Sequence, residues 1–120
     1  MALGKEIGEF SHKVTSVTYG ETSTQWNVQG LGSSGGTVQG TLTFTGGADS
    51  ECGAMSGRGV VFMKDGTRMN NVGEGIWNTV GQHKWRIRML NSRSNGLITL
   101  VDSELDLATL SWQGKVYEWS

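Results

Sequence analysis

The chain has no proline, a single cysteine, only two histidines and no excess of charge of either sign. Each shortage excludes something. With Cys52 alone, no internal disulfide can form, and a zinc site built on His12, His83 and Cys52 would still lack partners. Ten basic residues stand against eleven acidic ones, a net charge of −1, so no basic field draws the chain to nucleic acid or anionic lipid. No apolar run approaches the length of a membrane span. Residues 1–10 lack the apolar centre of a signal peptide, and a cytoplasmic location is the expectation. Without proline, every turn falls to glycine and asparagine chemistry.

What is abundant is glycine, at 19 of 120 residues, set among β-branched residues and five tryptophans. That mixture can bury surface, so a folded chain is expected rather than a low-complexity one. The length suits one domain, residues 1–120, with a modest core. In Thr37-Val38-Gln39-Gly40-Thr41-Leu42-Thr43-Phe44-Thr45, Val38, Gly40, Leu42 and Phe44 point one way and the threonines the other. This period of two marks a half-buried strand. About seven further runs share it, at 6–18, 22–29, 52–63, 67–78, 83–91, 97–107 and 110–119. No helical spacing longer than a turn occurs.

The last four strands can be registered by their turns. A three-residue loop Ser94-Asn95-Gly96 places Arg88 opposite Asp102, Arg86 opposite Glu104 and Lys84 opposite Asp106. A loop Thr79-Val80-Gly81 places Glu74 opposite Arg86, Gly75 opposite Trp85 and Gly73 opposite Ile87. A two-residue Ala108-Thr109 turn sets Asp102 against Lys115 and Leu105 against Trp112. All three put the charged ladder on the outer face, with His83, Trp85, Ile87, Met89, Trp77, Val101, Ser103, Leu105, Trp112 and Val116 inside. A one-residue slip would bury the whole ladder, so the register is strongly specified. Leu90, Ile98, Leu100, Tyr117 and Trp119 break the polar pattern at one end of the outer face and mark a contact surface, read first as a homo-oligomer interface. Arg58 faces inward if Asp65-Gly66 is a two-residue turn and outward if the loop has three residues.

Eight short antiparallel strands joined mostly by tight turns allow a sandwich or a barrel. Strand glycines suited to sharp coiling favour an all-β, single eight-stranded, mainly up-and-down β-barrel. The stretches GGTVQGTLTF, GAMSGRGVVFMKDG and GEGIWN, with the strand layout around them, resemble small bacterial barrels related in fold to allene oxide cyclase, among the calycin-like barrels. The resemblance implies a barrel with a hydrophobic cavity, often oligomeric, in which some relatives cyclise or isomerise an apolar substrate. It carries over no catalytic residue.

Gly30-Leu31-Gly32-Ser33-Ser34-Gly35 has the letters of a dinucleotide fingerprint, but a strand follows where the phosphate-binding helix must be. Asp102, Glu104 and Asp106 alternate along one strand, roughly 7 Å apart, too far to share one ion. Neither a cofactor nor a metal is expected. Trp26, Phe44, Asn71, Trp77, Trp85, Met89, Ser103 and Trp112 are the candidate ligand-binding residues of an aromatic-lined interior, with Asn71 and Ser103 as orienting groups. The same indoles can equally fill a solid core. His83, Glu118 and His12 are the acid–base candidates. Three functions remain open: a binder of a small apolar molecule, a cyclase or isomerase acting in the same cavity, and an assembly module with a solid core.

Overall fold

A computed structural model describes residues 3–32, 36–46 and 49–119. Eight strands, β1 (Leu3–Tyr19), β2 (Ser23–Leu31), β3 (Thr37–Thr45), β4 (Cys52–Phe62), β5 (Arg68–Thr79), β6 (Lys84–Arg93), β7 (Ile98–Asp106) and β8 (Ser111–Trp119), pair in chain order and close, β8 on β1. Every pairing is antiparallel. The fold is the expected up-and-down barrel. Closure leaves no free edge to template aggregation. In the fingerprint-like stretch, residues 33–35 lie outside the described residues; Gly30 and Leu31 belong to β2, and strand β3 follows.

The alternation read from the residues is the alternation of burial. Thr24, Trp26 and Val28 of β2 are buried, as are Leu42 and Phe44 of β3. β1 is longer than its pattern suggests because its two neighbours pair with different parts of it. Its first part, to Lys13, pairs with β8, and from Ser11 onward it pairs with β2. Register shifts between Val14 and Ser16, and between Leu3 and Gly8, mark bulges. An extra residue bends a strand and tightens its twist, which lets one strand close the wall.

Two of the three expected registers hold. Across the Ser94-Asn95-Gly96 loop, Lys84, Arg86 and Arg88 face Asp106, Glu104 and Asp102, and across the next turn Asp102 faces Lys115 and Leu105 faces Trp112. The closest contact in the ladder is nonetheless diagonal. Arg86 donates from Nε and Nη2 to both oxygens of Asp102, at 3.0 and 2.8 Å. Diagonal neighbours in a twisted sheet lie within reach of a side chain this long. Asp106 turns away and accepts hydrogen bonds from the Ala108 and Thr109 amides of its own turn.

The third register is corrected. β5 and β6 are joined through Gly81-Gln82-His83, with the Val80 amide donating to the Lys84 carbonyl, and Gly81 and His83 both take positive φ. Glu74 therefore faces Leu90 rather than Arg86, Gly75 faces Met89 rather than Trp85, and Gly73 faces Asn91 rather than Ile87. The slip is four residues, an even number, so every strand residue keeps its face. The cost falls on His83, which sits exposed in the turn instead of inside. Between β4 and β5 the loop has three residues, Lys64-Asp65-Gly66, closed by the Met63 amide on the Thr67 carbonyl. Arg58 accordingly faces outward and is exposed.

The outer apolar patch is in register as read: Leu90 pairs with Leu100, and Leu100 with Tyr117. Leu90 and Ile98 are exposed, as are Val72 and Ile76 on β5, where Glu74 stands opposite Leu90. No helix of the structure is long and apolar enough to cross a membrane.

Candidate functional site

The barrel interior is divided into two halves of different character. Toward the β1–β2, β3–β4, β5–β6 and β7–β8 turns it is solid. Trp77 and Trp85 lie with ring centroids 4.2 Å apart, Phe44 meets Trp85 at 5.1 Å, and Trp26 meets Trp85 at 6.1 Å, mostly edge to face. Trp26, Phe44 and Trp77 are no more than 1 % exposed. Their polar handles are satisfied within the protein: Trp77 Nε1 donates to the Thr45 carbonyl and Trp26 Nε1 to Thr24 Oγ1. Burial of such rings contributes on the order of 2–3 kcal/mol each.

Toward the β2–β3, β4–β5 and β6–β7 turns the wall thins. Gly32, Gly40, Gly57 and Gly59 offer no side chains there, and a cavity of about 100 Å³ remains, comparable to one aromatic ring. Gly40 and Gly59 face each other across β3 and β4. A Cβ on Gly40 would stand 2.9 Å from the Arg58 carbonyl oxygen. Close strand approach therefore keeps this part of the wall bare. Phe10, Val28, Leu42, Met89, Val101, Trp112 and Val116 supply apolar lining, and His12, Asn71, Asn91 and Arg93 polar groups from the inner face; Thr41 and Arg58 adjoin the space from outward-facing positions of β3 and β4.

His12 is 6 % exposed and stacks on Phe10, with ring centroids 4.9 Å apart, beside Trp112 at 5.5 Å. Its partner across β2 is Gly30, where any Cβ would collide with Nδ1. A glycine is what lets the imidazole lie inside the wall. Burial lowers the His12 pKa from its usual 6.5, opposed by a backbone interaction with Ser11, so the ring is neutral at neutral pH. Arg93 is half-buried, and burial lowers its pKa too; a guanidinium stays protonated regardless.

Four buried polar atoms lack a hydrogen-bond partner among the described residues: His12 Nδ1, Asn71 Oδ1, Arg93 Nε and Thr99 Oγ1. The first three belong to residues lining the cavity. Each orphan costs about 1–3 kcal/mol unless water or a bound group covers it. Their clustering around one space distinguishes it from an ordinary packing defect.

Of the residues singled out from sequence, Asn71, Met89, Trp112 and His12 meet at the cavity. Trp26, Phe44, Trp77 and Trp85 form the solid half instead. Ser103 is buried and fully occupied, accepting from Trp112 Nε1 at 2.9 Å and donating to the Ile87 carbonyl. It orients the indole rather than a ligand. His83 is exposed in the β5–β6 turn, at the solid end, and Glu118 is exposed opposite Thr99. Phe10, Asn91 and Arg93 were not anticipated. Arg93 was legible all the same: the Ser94-Asn95-Gly96 loop makes it the last residue of β6, and the inward alternation Trp85, Ile87, Met89, Asn91 continues onto it. Among the described residues, no three of His, Cys, Asp and Glu gather as the ligands of a metal would. No protein-family model, curated protein or solved structure matches this chain.

Proposed function

We propose that this barrel binds a small, largely apolar molecule in the half of its interior that side chains leave unfilled. The observation that carries the reading is the asymmetry of the interior. One half is packed with indoles, the Trp26 and Trp77 N–H groups bonded within the protein, while the other is walled by glycines around an apolar space. An eight-stranded barrel is just wide enough either to be filled or to hold one small ligand, and this chain does one at each end. The likeness of its glycine-and-turn pattern to allene oxide cyclase-like barrels belongs to the same proposal and supports it. Trp112 lines the space and is the natural reporter. Titration with compact apolar molecules is expected to change tryptophan emission saturably, and Val101→Trp, which fills the space from its wall, is expected to abolish the change. A flat response across such molecules overturns the reading.

One observation favours a second reading, a cyclase or isomerase working in the same cavity. His12 is neutral there, with Nδ1 unpartnered, and can accept a proton from a bound molecule. His83 and Glu118, exposed outside the space, are not needed for it. If turnover of a bound molecule is found, His12→Phe is expected to lower kcat far more than it weakens binding.

A further inference from the structure

The polar atoms of the cavity say what one end of its occupant must be, an inference that rests on the binding reading above. Arg93 and Asn71 are direct partners across β6 and β5, and both line the space. Arg93 Nε is buried with its donor unused. The ion pairs among the described residues, Arg86 with Asp102 and Lys115 with Glu6, lie on the outer wall and leave Arg93 out. Glu118, at the same end of the barrel, is exposed and paired in the sheet with Thr99 rather than with β6. A cation held at the edge of an apolar cavity, without a counter-charge among the described residues, is a site for an anion.

We propose that the molecule bound in the cavity carries a carboxylate, seated against Arg93 and Asn71, with its apolar body lying toward Phe10, Met89 and Trp112. The planar guanidinium fork matches the two oxygens of a carboxylate. The Asn71 amide, by turning over, offers either its oxygen or its NH₂ to the same place, so it serves an ionised or a protonated acid. His12 lies on β1, away from this pair, and adds a hydrogen bond but no charge. One cation and a space the size of one ring fit a monoanion. A phosphate, with up to two charges and a bulkier head, would need a second cation, and Arg58, in the same wall, has its side chain exposed on the outer face.

The test compares matched pairs that share a body and differ at the head: 4-phenylbutanoate with 4-phenylbutan-1-ol, and phenylacetate with 2-phenylethanol. Dissociation constants are measured on the whole chain by tryptophan fluorescence and calorimetry. The acid of each pair is expected to bind about tenfold or more tightly than its alcohol. Arg93→Gln should bring that ratio to about one while moving the alcohol by no more than about twofold, and Arg93→Lys should keep part of the preference. Alcohols that bind the variant also show that it has folded. Equal affinity of acid and alcohol in the wild type, or a preference that survives Arg93→Gln, overturns the carboxylate while leaving apolar binding intact. Silence from all four compounds overturns both.

Discussion

At the scale of single residues, His12 has the largest consequence for how the protein responds to its medium. Burial holds its pKa below the ordinary 6.5, so the unfolded chain takes up a proton at a higher pH than the folded one does. Between the two pKa values the unfolded state binds more protons, and stability rises with pH there. The sign is therefore fixed: the contribution is fully present above about pH 6.5 and is lost progressively as pH falls toward the lowered value. Asp65 and Asp106, lowered by hydrogen bonds within their turns, add a further loss only as pH falls below the ordinary carboxylate value of 3.8. Urea midpoints measured from pH 7.5 to 5 are expected to fall for the wild type and to flatten in His12→Phe. An unchanged slope in His12→Phe would show that the imidazole is hydrated in the folded chain.

At the scale of elements, the hairpins show how close approach of two strands is written in glycine. Gly75 faces Met89, and a Cβ there would stand 2.6 Å from the Met89 Cα and collide with the Arg88 carbonyl. Gly66, in the β4–β5 turn, has φ +92° and nothing within 4 Å of a would-be Cβ. Gly75→Ala must push backbone apart and is expected to cost about 2–3 kcal/mol or more, read as a shift in urea midpoint. Gly66→Ala meets only the left-handed penalty of about 1–2 kcal/mol. The same local chemistry decides what was legible in the residues. Ser94-Asn95-Gly96 ends on a glycine that takes φ +89°, the position the loop type favours, and the register follows. The β5–β6 turn ends on His83 at φ +59° and carries its glycine first. A histidine in the left-handed region leaves no mark in a sequence, so the glycine pattern places the turn too early and draws His83 inside. Inward and outward faces survived because the slip was even. What parity cannot show is volume: it puts three indoles, Phe44 and Trp112 in one interior, and only their packing separates a filled half from a hollow one.

At the scale of the whole molecule, that separation lets stability and binding be changed apart. The Trp26, Phe44, Trp77 and Trp85 group closes one end and makes no contribution to the cavity lining, while Val101 lies in the cavity wall on the inner face of β7. Trp77→Phe removes a buried ring and leaves the Thr45 carbonyl without its donor. It is expected to cost about 2–4 kcal/mol of stability and to leave the affinity for 4-phenylbutanoate within about twofold. Val101→Phe adds atoms where the wall faces empty space, so it should hold stability within about 1 kcal/mol of wild type. In the same variant the affinity should drop about tenfold or more, because the added ring occupies the ligand's volume. Thermal midpoints and dissociation constants on the two variants check both halves of the argument together. If both properties fall in both variants, the interior is one cooperative core, and the division that makes room for a ligand is not a division in energy.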